Sequence, residues 1–158
     1  MEQILLHLQS YFHFRGAVLR SLSFQHLSKS EFTRITGLNG NSKYRRRTNP
    51  DLWKPAEIYR LARELGLWDG STKRLDRLAA LLNELSDPDK KVIFKACTLT
   101  EAKLQVRLLN SDSWQPQELE KLNAWCRQHL ASGFKGVHLE IVKANAAPSM
   151  QEPSLRQP

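Results

Sequence analysis

Residues 38–61 read LNGNSKYRRRTNPDLWKPAEIYRL, and residues 99–122 read LTEAKLQVRLLNSDSWQPQELEKL. Laid over one another at an offset of 61 residues, without a gap, they share Leu38/Leu99, Arg46/Arg107, Asn49/Asn110, Asp51/Asp112, Trp53/Trp114, Pro55/Pro116, Glu57/Glu118 and Leu61/Leu122. Phe32/Ile93, Arg34/Lys95 and Ile58/Leu119 are close replacements. The pattern Arg-x-x-Asn-x-Asp-x-Trp-x-Pro-x-Glu-(Ile/Leu)-x-x-Leu, recurring at constant spacing, marks two copies of one unit, and such a repeat organises the whole fold.

Working outward, each copy carries the same order of helix starts and stops. Ser28-Lys29-Ser30-Glu31 has the form of a capping box, in which a hydroxyl and a carboxylate satisfy the free amides of a helix start. Phe32 and Ile35 share a face, and Gly37 suits the left-handed residue that ends a helix. A second short helix is expected from Asn39–Asn41 to Asn49-Pro50. Pro55 then opens a third, with Ile58, Leu61, Ala62 and Leu65 inward and Gly66 as its stop. In the second copy Leu75, Leu78, Leu82 and Leu85 predict a helix over Lys73 to Leu85, and Asp87-Pro88 reads as cap plus first-turn proline. Val92, Ile93 and Ala96 are expected to face inward on the next helix, and Leu104 and Leu108 on the one after. Leu119, Leu122, Cys126 and Leu130 do so on the last, which Gly133 should close. The first 27 residues, rich in Leu, Phe and His, are expected to form one or two amphipathic helices packed on the first copy. Val137, Leu139 and Ile141 alternate as a strand would, but the sequence offers no second strand to pair with them. From Lys143 onward Ala, Pro, Ser and Gln dominate, a composition that favours disorder. The expectation is an all-α chain of tandem modules with a disordered C-terminal tail. Residues 1–68 hold the N-terminal helix and first module, 69–133 a diverged second module, and 134–158 a short strand and tail.

Two short helices joined by a tight turn and followed by a loop and a third helix resemble the helix-turn-helix of the lambda-repressor and Cro-like DNA-binding family. The stretch that carries the resemblance is Leu27 to Leu67, about a quarter of the chain. Gly37 stands for the turn glycine, Asn49-Pro50 for the loop after the recognition helix, and Leu65-Gly66 for the end of the apolar helix. The match has departures. Lys43 holds a place that is usually apolar, and that Leu104 fills in the second copy; Tyr44 would take the role after a one-residue insertion in the turn. Thr98 replaces the glycine in the second copy.

The resemblance implies a helix near 39–47 that enters the major groove of duplex DNA. There Asn and Arg pair with base edges while Lys and Arg meet phosphates. The implied contact set is Lys29, Asn39, Asn41, Ser42, Lys43, Tyr44, Arg45, Arg46 and Arg47. Asn39, Asn41, Ser42 and Lys43 stand where base contacts begin, and Arg45 and Arg47 suit the backbone. The plainer alternative is a solvated basic face on a structural helix. Comparing the copies separates scaffold from function. Trp, Asn, Asp and Pro kept in both should fill the core and bond turn amides. Arg46 and Arg107, also kept, could hold the loop as easily as touch DNA. Asn41, Arg45 and Arg47 occur in the first copy alone, opposite Ala102, Val106 and Leu108. The span Lys29–Lys54 carries seven basic and two acidic residues, and the matching span Lys90–Gln115 five and two. The first copy is the better DNA reader; the apolar second one suits a protein surface or burial against its neighbour, with Lys103 and Lys95 offering a weaker second DNA site.

The bulk properties fit a polyanion partner: 158 residues with a formal charge of +8. No stretch approaches the roughly 20 apolar residues of a membrane span. The start, Met1-Glu2-Gln3-Ile4-Leu5-Leu6-His7, lacks the basic-then-apolar pattern of a secretory signal, so a cytoplasmic chain is expected. His7, His13, His26, His129 and His138 match no metal spacing. Cys97 and Cys126 form no Cys-x-x-Cys pair and read as buried thiols; no phosphate loop or nucleophile motif appears. The expectation is therefore no enzyme, no metal and no cofactor. It is a sequence-specific DNA-binding transcriptional regulator, dimerising through the N-terminal helix or the Val137–Ile141 segment to read paired half-sites. The competing readings are a protein-binding, antitoxin-like adaptor built on the same scaffold, and a binder of structured RNA.

Overall fold

The computed structural model describes residues 1–24 and 28–144, with the backbone path alone for 24 and 132–144. Among the described residues eight helices follow in order: α1 Glu2–Phe24, α2 Lys29–Thr36, α3 Gly40–Thr48, α4 Pro55–Glu64, α5 Leu78–Asn83, α6 Asp87–Cys97, α7 Glu101–Leu109 and α8 Pro116–Ala144. The fold is all-α, with no strand among the described residues, and no described helix is long and apolar enough to cross a membrane.

The repeat is written into the element bounds. At the offset of 61, α2 and α6 end together, α3 and α7 start and stop together, and α4 and α8 both begin on a proline. Single 3₁₀ turns at Pro50–Leu52 and Ser111–Ser113 also coincide. In each turn the asparagine side chain accepts from the amide two residues on, Asn49 from Asp51 and Asn110 from Asp112, at 3.0 and 2.9 Å. The shared tryptophans, Trp53 and Trp114, are buried. The shared aspartate side chains bond cations rather than turn amides. Arg15 of α1 donates to Asp51 at 3.0 Å and to Glu120 of α8 at 3.1 Å, while Lys73 donates to Asp112.

α1 carries a stripe of Ile4, Leu8, Tyr11, Phe14 and Val18, all buried, at the three- and four-residue spacing of one helical face. It packs on α4, α5 and α8, and so touches both copies rather than the first alone. The 3₁₀ turn of each copy meets the last helix of the other, α4 with Ser111–Ser113 and α8 with Pro50–Leu52, a reciprocity that a two-fold relation generates. Buried side chains from α1 and both copies form one hydrophobic cluster.

Several expectations are corrected. The helix over Lys73–Leu85 begins only at Leu78, because the Lys73 amide bonds the Asp76 carboxylate and the Arg74 amide bonds the Tyr59 hydroxyl, leaving residues 74–77 as a turn. Val92 and Ala96 lie outward, since Ile93 and Cys97, four apart, already fill the inner face of α6. On α7 the inner face holds Leu104 and Arg107, which turns Leu108 out. Gly133 does not close α8. The backbone of 137–141 is helical, since a lone strand would leave its backbone groups unpaired whereas a glycine inside a helix costs only about 1 kcal/mol. The disorder expected of the tail falls, past Ala144, outside the described residues.

Candidate nucleic-acid interface

The first copy builds its surface helix from local bonds. Ser28 and Glu31 close the capping box that starts α2: the Glu31 amide donates to Ser28 Oγ at 3.2 Å and the Ser28 amide to Glu31 Oε2 at 3.0 Å. The Ser28 hydroxyl and amide hold the Glu31 carboxyl below its ordinary value. Phe32 and Ile35 anchor the helix in the core. Gly37, at φ 69°, ends it in the left-handed region where a side chain is strained. Asn39 then caps α3, its Oδ1 accepting from the Ser42 amide at 3.4 Å.

None of the nine residues of α3 is fully buried, so the helix is held by a few specific ties. Arg46 turns inward and grips Glu57 of α4 with two parallel bonds, Nε to Oε2 at 2.9 Å and Nη2 to Oε1 at 2.7 Å. Glu57 Oε2 also accepts the Lys54 amide at 2.9 Å, capping α4, and Trp53 Nε1 donates to the Arg46 carbonyl at 3.2 Å. The Lys43 ammonium stands 4.6 Å from the centre of the Phe32 ring. Lys43 therefore occupies the place of the buried Leu104, with no insertion in the turn, and Tyr44 does not take the apolar role: it is 70 % exposed.

These ties sort the implied contact residues. Asn41, Tyr44 and Arg45 share the outward face with Thr48, a residue the sequence reading passed over although its spacing of three and four from its neighbours placed it there. Arg47 is exposed on the flank. Among the described residues neither Arg45 nor Arg47 has a carboxylate partner. Lys29 is exposed at the start of α2. Asn39 and Ser42 are joined in the cap, and Arg46 is committed to Glu57, so its position in the contact set is a structural one.

The second copy keeps the scaffold and changes the surface. Arg107 and Glu118 repeat the pair with three bonds of 3.0–3.2 Å, and Gln115 repeats the cap on Glu118 at 3.1 Å. The positions of Asn41, Tyr44, Arg45, Arg47 and Thr48 hold Ala102, Gln105, Val106, Leu108 and Leu109, and Leu109 is 90 % exposed. Lys103 donates to the Thr98 carbonyl at 2.9 Å and stands 3.6 Å from Glu118, which ties up one of the two cations of the suggested second DNA site.

Cys97 and Cys126 are buried without a disulfide, and burial pushes the Cys97 thiol up to about 11 and the Cys126 thiol upward as well. That chemistry suits core packing rather than a nucleophile. Comparison with known proteins returns no match at the level of family models, curated proteins or solved structures.

Proposed function

We propose that the chain is a sequence-specific DNA-binding protein, acting as a transcriptional regulator, with α3 of the first copy entering the major groove. One observation carries the reading. Of three consecutive arginines, Arg46 is locked to Glu57 while Arg45 and Arg47 stand exposed without carboxylate partners among the described residues. A solvated structural helix needs only the first of these. Asn41 lies on the outward face, where its amide can reach base edges, and Lys29, Lys43, Arg45 and Arg47 suit phosphates.

Fluorescence anisotropy on a labelled duplex over a salt series tests this. About four engaged phosphates give log K a slope against log salt near −3.6, and Arg45→Ala with Arg47→Ala should bring it toward about −2. Asn41→Ala should chiefly relax base preference, by about 1–3 kcal/mol. Selection from a random duplex library should enrich a defined motif; no enrichment, or binding indifferent to salt, overturns the reading.

A second reading, a protein-binding adaptor, is favoured by the exposed Val106, Leu108 and Leu109 on α7. It requires duplex binding to be weak and sequence-blind, which the same selection measures.

A further inference from the structure

Gly37 and Thr98 are the same place in the two copies, the left-handed residue after α2 and after α6, at φ 69° and 59°. Each lies beneath a cation from the last helix of its copy, α4 or α8. In the second copy Lys121 of α8 donates to the Thr98 hydroxyl, so the ammonium is held by its own chain. In the first copy the residue at the matching offset is Arg60 of α4, and its Nη1 lies 3.5 Å from where a Cβ on Gly37 would sit. A glycine has no hydroxyl to offer. The acids that helical spacing puts within reach of Arg60 are taken: Glu57, three residues before, by Arg46 at 2.7 Å, and Glu64, four after, by Arg34 at 3.7 Å. Arg60 is exposed and, among the described residues, has no carboxylate partner.

We propose that Arg60 binds a backbone phosphate of duplex DNA beside the first turn of α3. The assignment rests on the DNA-binding reading of α3 and extends it to a second element. The α2–α3 turn opens directly onto Asn39 and Asn41, so a guanidinium over that turn sits at the end of α3 that leads into the groove. A planar fork of N–H donors matches a phosphate better than the compact ammonium used in the second copy. The paired substitution is coherent: where the last-helix cation is tethered, the neighbouring face is apolar, and where it is untethered, the face is basic and amide-bearing. Residue type and position along α4 do not reveal this contact; it depends on what lies under the side chain.

The test uses the full chain and a fluorescein-labelled mixed-sequence DNA duplex, titrated over a salt series, with Arg60→Ala, Arg60→Gln, Arg60→Lys and, as a control, Lys121→Ala. Both neutral variants should weaken binding about tenfold at low salt and flatten the log–log slope by about 0.9, the loss of one phosphate. Their melting temperatures should stay within 1 °C or so of the parent. Arg60→Lys should recover the slope, and Lys121→Ala should leave slope and affinity unchanged. Wild-type affinity and slope in Arg60→Ala and Arg60→Gln overturn this assignment while leaving the reading of α3 intact. Parallel losses of melting temperature in both variants also overturn it, by making Arg60 a fold residue. A wild-type chain that shows no salt-dependent duplex binding overturns the reading of α3 and this assignment together.

Discussion

Removing Arg107 should harm the fold, removing Arg46 should harm it less, and removing Arg45, its immediate neighbour in sequence, should hardly touch it. The ranking follows from burial. The side chains of Arg107 and Glu118 are 9 % and 8 % exposed, and those of Arg46 and Glu57 are 15 % and 14 %. Stripping one partner from a buried pair costs about 3–5 kcal/mol, because the remaining charge is left without its counterion. Glu118 would keep the Gln115 amide and the Lys103 ammonium, 3.6 Å away, which places Arg107→Ala near the low end, about 3 kcal/mol. In a chain of this size that lowers Tm by about 6–12 °C. Arg46→Ala, with more water at hand for Glu57, should cost about 2 kcal/mol, and Arg45→Ala less than about 0.5 kcal/mol. Urea titrations and thermal melts followed by far-ultraviolet circular dichroism give all three values. A compensating pair, Arg107→Leu with Glu118→Gln, should recover part of the loss, since a neutral amide can still accept the Gln115 N–H. An Arg107→Ala cost below about 1 kcal/mol, or equal costs for Arg45→Ala and Arg46→Ala, would refute the division of the arginines into scaffold and surface.

Burial of the thiols has a chemical consequence. With Cys97 near 11, only about one molecule in a thousand carries its thiolate at pH 8, so a disulfide reagent should modify the folded chain far more slowly than the urea-unfolded one; equal rates would place the thiol at the surface. The same raised value makes stability fall as pH climbs from the ordinary thiol value of 9.0 toward 11, because the unfolded chain releases that proton first, and Cys97→Ala should flatten this slope. Ser28→Ala removes the cap of α2 and should lower Tm by about 2–4 °C. Because Glu31 is held below its ordinary value of 4.5, its contribution is present above that pH and lost as pH falls through the folded value. The gap between wild type and Ser28→Ala in thermal melts should therefore narrow in acid, and a constant gap would remove Glu31 from the cap.

The repeat, its offset and the helix order were legible in the sequence because they rest on local chemistry: a capping box at Ser28, first-turn prolines, and apolar residues at helical spacing. Asn49 and Asn110 were legible too, since an asparagine that bonds an amide two residues on does so within its own loop. What lay beyond sequence is who meets whom across the fold. Arg45, Arg46 and Arg47 are one residue type in a row, and only the position of Glu57 on a packed α4 turns the middle one inward. Leu108 and Val92 read as core until Arg107 and Cys97 were found to occupy that side of their helices. The service of Asp51 to Arg15, and the openness of Arg60 above a glycine, belong to residues far apart in the chain. Periodicity fixes which side of a helix is apolar, but a charge is assigned to structure or to surface by its partner, and partners are chosen only when the helices pack.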